Sequence, residues 1–467
     1  MLDQLPDLLA VARQCVELAR RAGADLAEAD VTARVELAVK VRNGRPDVIH
    51  QNGERALRLH VVKDRRAAVI YTNHLAHSEL QQLVADALEL ASLATPDPFL
   101  GAVAKSELAR EPLPGLSLWD DNTTFLDVRE STRRAVVGER AARAHDPRVV
   151  HVESSCGYIL EGFALATTIG FSGAYATSYQ ALMVEAVADT GHKSVSRHFT
   201  ASRFLEELDD PEQVGVEAAR RAIAQVGTRE IDACEVPVVF HPDAGRNLLQ
   251  LLPHVVSGTG VFNRASYLND RLGTQVASEL VSVIDDPIVP RAIGSRPFDA
   301  EGLRSRSSSL IDRGVLRTFL TNTYAARRLH RAPTASAVRS GRGATVSGAS
   351  NLIMRPGTVR PSQLISELSS GLYVTELMGA SFRPATGDVA RVASGFWVDN
   401  GELAYPVSRV HLAASLDTIL GRVDAVCQDL DFRTAFACPT FRVAVLQIGT
   451  RRGVGGSSRS LDVSFDP

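Results

Sequence analysis

Lysine is almost missing from this chain: Lys40, Lys63, Lys105 and Lys193 are the only ones among 51 basic residues. Arginine therefore carries nearly all positive charge. Its planar fork suits carboxylate recognition, but a general bias toward Arg and Ala accounts for the excess, so no function is read from it. Against 54 acidic residues the net charge is only -3, which excludes the concentrated basic surface of an electrostatic nucleic-acid binder. Cysteine is also scarce. Cys15, Cys156, Cys234, Cys427 and Cys438 are scattered, odd in number and form no CxxC, which argues against a disulfide framework or a closed zinc knuckle. No segment reaches the roughly 18 apolar residues that cross a bilayer, and the opening MLDQLPDLLAVARQCVELARRAG lacks a basic n-region. A cytoplasmic protein without membrane or nucleic-acid partners is the expectation.

What is present is ample chain: 467 residues imply two domains with real cores. Leu5, Leu8, Leu9, Ala12, Cys15, Val16 and Ala19 recur at helical spacing before Gly23. Alternation from Val31 to Val41 predicts a half-buried strand ending at Asn43-Gly44, with shorter strands over 56–62 and 67–71. Helical patterns return at 77–93 and 124–144, followed by β-rich sequence from Val149 to Val187 and helices near 202–208 and 211–226. A charged stretch, Thr228-Arg229-Glu230, precedes a new apolar strand over 236–240. The predicted fold class is α+β: a mixed α/β N-terminal domain over 1–230, a β-rich C-terminal domain over 236–450, and a solvated tail over 451–467. The second domain is read to open with a helix at 243–256. Arg331 to Ser350, rich in Gly, Ser, Ala and Arg, is read as a flexible loop.

Chemical motifs are few. No GxSxG elbow occurs, and Ser257-Gly258-Thr259-Gly260 lacks a Walker lysine and reads as a turn. His241 and His254 flank the 243–256 helix too far apart to share an ion on it. Asp285-Asp286 before Pro287 reads as a turn opening. Denser signal lies in Ser295-Arg-Pro-Phe-Asp-Ala-Glu-Gly302 and in Thr375-Glu-Leu-Met-Gly379 with Thr386-Gly-Asp388. Carboxylates beside glycines and apolar residues there fit a cleft wall or structural salt bridges equally well.

These segments, together with Ala94-Thr-Pro-Asp-Pro98, Gly314-Val-Leu-Arg-Thr-Phe-Leu320, Thr323-Tyr-Ala-Ala-Arg327, Gly371-Leu-Tyr-Val-Thr-Glu-Leu-Met-Gly379, Ser394-Gly-Phe-Trp-Val-Asp-Asn-Gly401 and Tyr405-Pro-Val-Ser408, resemble the TldD/TldE (PmbA) family. That family is also described as peptidase U62 or modulator of DNA gyrase, and the TldE/PmbA branch resembles this chain most. The resemblance implies a subunit that pairs with a TldD-like catalytic chain as a heterodimeric zinc peptidase acting on unfolded, leader or modified peptides. In the catalytic branch a helix bears HExxxH, completed by a distant Cys; two His bind zinc and the Glu activates its water. Aligned on Ser257-Gly258, this chain has Leu249 at the first His, Gln250 at the Glu and His254 at the second His, with Cys438 near the Cys position.

Leu cannot ligate and Gln cannot deprotonate water, so no catalytic residue and no zinc are expected in this chain; His254 and Cys438 are read as remnants. Zinc is expected in the catalytic partner. Peptide contacts are expected at Asn351, Arg355 and Glu376. Two alternatives stay open: an autonomous peptidase with a rearranged metal site, and a binding protein acting on DNA gyrase.

Overall fold

A computed structural model describes residues 1–340 and 343–449. The expected tail at 451–467 lies outside them. The chain begins with helix α1 (Leu5–Arg21), whose buried stripe is Leu8, Ala12, Cys15, Val16 and Ala19. Strands β1 (Leu26–Arg42) and β2 (Arg45–Lys63) follow as one long hairpin. Asn43 and Gly44 form its turn with φ of 54° and 71°, the left-handed pair that matches the twist of the flanking strands. Strand β3 (Arg66–Thr72) and helices α2 (His77–Leu93) and α3 (Val128–His145) lead to β4 (Val149–Thr167), β5 (Ser172–Asp189), β6 (Lys193–Ser202) and α4 (Pro211–Ala224). Asp127 starts α3 by accepting the Glu130 N–H at 2.8 Å. Residues 205–207 form only a short 3-10 turn where a helix over 202–208 is expected.

The six strands form one antiparallel sheet in the order β3-β2-β1-β4-β5-β6. Its helices share one face. Val31 and Leu57 pack with α1 and α2, whereas Leu37, Val39 and Val41 pack with α3 and α4. These β1 side chains are two residues apart or multiples of two, so they point the same way. The opposite face, carrying Asp30 from β1 and Phe163 and Leu165 from β4, receives the second half of the chain at Phe298.

That half opens with β7 (Cys234–Phe240), then α5 (Pro242–Leu249), α6 (Leu252–Val256) and α7 (Gly258–Phe262). The single helix expected at 243–256 is broken at Gln250-Leu251. Pro253 explains the break: it has no N–H to give, and its ring would collide with the carbonyl of Leu249 in a continuous helix. Ser257 to Gly260 is not a free turn either. The Gly258 N–H donates to the Leu320 carbonyl at 2.7 Å, and a Cβ on Gly258 would sit 2.7 Å from the Thr321 methyl.

Short elements follow: β8 (Val283–Asp285), β9 (Ser308–Asp312), β10 (Val315–Leu316), α8 (Thr323–Arg328), β11 (Ala337–Arg339), β12 (Thr345–Ser347) and β13 (Leu352–Met354). Asp285 is therefore strand, not turn. Its buried carboxylate accepts the Ser350 N–H at 2.6 Å and the Ser350 hydroxyl at 2.9 Å. Nor do the described residues of 331–350 form a flexible loop: β11 and β12 pair antiparallel, and Ala335, Ser336, Ala337 and Ser347 are buried. Finally β14 (Ser370–Arg383), β15 (Asp388–Asp399), β16 (Glu402–Ser415), β17 (Val423–Val426), β18 (Phe436–Ala437) and β19 (Phe441–Gly449) complete the chain. A second sheet runs β16-β15-β14-β7-β19-β17, and β16 also pairs with β19, so five of its strands close into a ring. A third sheet, β10-β9-β8-β13-β18, packs into the same core. No described helix is long and apolar enough to cross a membrane.

Candidate functional site at the broken helix

Helix α5 begins where β7 leaves the sheet. His241 caps it by accepting the Asp243 N–H at 3.2 Å, and Pro242 occupies a first-turn position that has no use for an N–H. On its inner side Gly245 permits an unusually close approach: a Cβ there would lie 2.8 Å from the Cys438 sulfur and 2.9 Å from Cε1 of Phe441. Leu249, one turn further along, enters the same apolar core.

Cys438 is 0% exposed, with its sulfur 3.9 Å from that of Met354 and 3.5 Å from the Pro439 carbonyl. Burial pushes its thiol well above the ordinary range, the opposite of what a thiolate ligand requires. Gln250 and His254 are exposed, the His254 ring lying 6.1 Å from that of Phe382. Of the four aligned positions, two thus face the core and two face solvent. Among the described residues no three His, Cys, Asp or Glu side chains gather to hold a metal ion. A leucine, a glutamine, an exposed imidazole and a sealed thiol do not fit zinc.

The solvent side has its own architecture. Arg391, buried, donates from Nε to Asn247 Oδ1 at 3.1 Å and from Nη1 to the Ser381 carbonyl at 2.7 Å, tying α5 to the far end of β14. β7 accompanies β14 only from Leu372 to Val374, and the His241 N–H makes the last bond of that seam, to the Val374 carbonyl at 2.9 Å. From Thr375 to Arg383, β14 pairs with β15 alone among the described residues, with bulges at Val374/Glu376 and Met378/Ser381. Glu376 is exposed on this stretch, its carboxyl pushed upward by desolvation against the opposing pull of Arg197.

The remaining expected contacts divide. Arg355 is exposed beyond β13. Asn351 is buried and committed internally: its amide donates to the Asp286 carbonyl at 2.7 Å and to Ser295 Oγ at 2.8 Å, and its oxygen accepts the Gly294 N–H at 2.7 Å. A peptide contact from Asn351 has no free group to use, because the side chain already pins the 294–295 bend to β13.

Two charged clusters join the halves of the chain. At the start of α5, Asp243 pairs with Arg221 of α4 at 2.9 Å and with Arg246 at 3.0 Å, while Arg246 reaches Asp431 at 2.9 Å. Burial would raise the Asp243 carboxyl, but His241, Arg221, Arg246 and Arg433 outweigh it and hold it at about 2. Nearby His198 is driven down to about 4 by burial, then by Arg221 and Arg433. The i,i+3 spacing of Asp243 and Arg246 was the one available signal for this cluster.

The second cluster contains the 295–302 motif. Phe298 sits against Phe163, Phe171 and Tyr175, with centroid distances of 6.2, 4.8 and 5.2 Å. Beside it Asp30 pairs with Arg58 and with Arg339, both at 2.8 Å. Glu301 accepts the Thr323 N–H at 2.8 Å and the Thr323 hydroxyl at 2.6 Å. Burial first, then Asp299, pushes the Glu301 carboxyl up to about 8. The motif is thus a buried seam rather than a cleft wall.

Comparison with known proteins agrees with this architecture. The sequence matches PmbA/TldA metallopeptidase domain 1 over residues 27–91, the central domain over 122–226 and the C-terminal domain over 233–450. These descriptions define a metallopeptidase-type fold. The chain belongs to the PmbA/TldD metallopeptidase family, the TldD/TldE family of the sequence resemblance. Within it, the chain is 29% identical to a protein named metalloprotease PmbA homolog from Haemophilus influenzae, over 90% of this chain and 91% of that one. Two crystal structures share the fold. A protein described as a modulator of DNA gyrase from Bacteroides thetaiotaomicron superposes with a TM-score of 0.88 at 22% identity, covering 94% of this chain and 98% of that one. TldE from Thermococcus kodakarensis gives 0.84 at 20% identity, covering 94% and 100%.

Proposed function

We propose that this chain is the non-catalytic, TldE-like subunit of a two-chain zinc peptidase, and that its TldD-like partner carries the metal. The observation that carries the reading is the state of the broken helix: Leu249 and Cys438 are sealed in the core, while Gln250 and His254 stand in solvent. No general base and no ligand set result. Its own contribution is to bind and orient peptide. The β14 edge beyond Val374 offers unpaired backbone groups to an extended chain, and Glu376 on that edge supplies a carboxylate for a basic residue. Arg355 is the second contact in this reading.

The same reading divides the chain at about 230–236, supported by an apolar cluster that takes all its members from Ile231 onward. It also places the protein in the cytoplasm without a nucleic-acid partner, in keeping with the balanced charge. The test is reconstitution. The chain alone is expected to retain no stoichiometric zinc and to cleave nothing, while addition of an HExxxH-bearing paralogue yields a zinc-containing complex that cleaves unfolded peptides. Cleavage by the isolated chain that disappears in His254→Ala would overturn the proposal.

A further inference from the structure

Between α2 and α3 the chain leaves the first sheet and straps itself to the second half. Residues 97–109 of this strap contain no regular element except a 3-10 turn at Lys105–Glu107. Helix α8 holds its first part. The Tyr324 hydroxyl donates to Asp97 Oδ2 at 2.7 Å, and Arg327 donates from Nη1 to the carbonyls of Phe99 and Gly101 at 3.2 and 2.7 Å and from Nη2 to that of Ala102. The 302–304 segment holds its last part: the Ala109 N–H donates to the Gly302 carbonyl at 2.9 Å, and the Arg304 N–H donates to the Glu107 carbonyl at 3.0 Å.

Glu301 stands where the two attachments meet. It directly precedes Gly302, and its Oε2 accepts both the N–H and the hydroxyl of Thr323, the first residue of α8, at 2.8 and 2.6 Å. Its side chain is buried, with Asp299 of its own segment and Glu28 of β1 as negative neighbours. The cations around it are committed elsewhere. Arg58 of β2 and Arg339 of β11 pair with Asp30, His60 of β2 lies 3.4 Å from Glu28, Arg296 acts on Asp299, and Arg327 of α8 is spent on the strap carbonyls. An ionised Glu301 therefore faces two like charges with no ion pair among the described residues, whereas a neutral acid keeps both Thr323 bonds. We propose that Glu301 is a proton-held latch: its neutral carboxyl keeps α8 and the 97–109 strap docked, and loss of that proton loosens both.

The latch does not depend on the peptidase reading, because it uses none of the residues at the broken helix. Its direction follows from linkage. Burial and the two acids raise the docked carboxyl from 4.5 to about 8, so docking is fully supported below about pH 4.5, weakens as pH rises, and levels off once the docked acid itself ionises. The experiment is hydrogen exchange on the full chain from about pH 5.5 to about pH 8.5, expressed as protection relative to an unstructured chain at each pH, with circular dichroism to confirm folding of every variant. Protection of the amides over 99–109 and 323–328 is expected to fall about tenfold or more between about pH 6 and about pH 8. Glu301→Gln keeps an acceptor for Thr323 and cannot ionise, so its protection there is expected to stay level. Glu28→Gln removes one negative neighbour without touching the strap and should shrink the fall. Wild-type protection that ignores pH, an equal fall in Glu301→Gln, an undiminished fall in Glu28→Gln, or a fall spread evenly over the whole chain would overturn the proposal.

Discussion

The two seams that join the halves of this chain use carboxylates in opposite ways. At α5, Asp243 lies among Arg221, Arg246 and Arg433 and stays ionised down to about pH 2. At the Phe298 seam, Glu301 is buried beside Asp299, finds only Thr323 within hydrogen-bond reach among the described residues, and holds its proton to about pH 8. The difference is the supply of arginine. Asp30 takes the Arg58 and Arg339 guanidinium groups and Arg296 acts on Asp299, while no guanidinium lies within ion-pair distance of Glu301 among the described residues, and Glu301 holds its proton.

The largest effect is expected from Asp30→Ala, which strands two buried guanidinium groups and should lower unfolding stability by about 3–5 kcal/mol in urea titrations. A loss under 1 kcal/mol would show that the Phe298 seam is held by apolar contact alone. Next comes Asp243→Asn, expected to cost about 2 kcal/mol at neutral pH. The sign follows from linkage: the folded pKa is depressed, so this stability is present above about pH 4 and is lost as pH falls toward 2. The variant's deficit should therefore vanish in acid.

Glu301→Gln inverts that behaviour. Its folded pKa is raised, so the unfolded chain ionises first, and stability falls as pH rises from about 4.5 to about 8 before levelling. The glutamine variant should flatten this slope and equal or exceed wild type at pH 8; an unchanged slope would mean that Glu301 is not its source. The smallest effects concern the broken helix. Cys438→Ala should cost about 1–2 kcal/mol through the void left in the core, whereas His254→Ala should stay within about 0.5 kcal/mol. Equal losses at the two positions would contradict the inward and outward assignment.

Much of this was legible in the sequence. The alternation of β1, the Asn43-Gly44 turn and the stripe of α1 each follow from a local pattern that tertiary structure reinforces. The exposed half of β2 was not legible, because a strand with neither face buried shows no alternation. Asp285 and the β11 and β12 pair were misread for a shared reason: their burial comes from distant partners, Ser350 for Asp285 and Asp299 for Ala337, which no local window contains. At the candidate site the aligned positions could be named from sequence, but not that two of them are sealed behind Gly245 and two are exposed. Pro253 was the available clue to the broken helix.

Metal analysis of the purified full chain, alone and after co-purification with an HExxxH-bearing paralogue, tests the central claim most directly. The account predicts no stoichiometric zinc in the isolated chain, and zinc with peptidase activity only in the complex. One tightly held zinc in the isolated chain, released by Cys438→Ala or His254→Ala, would contradict it.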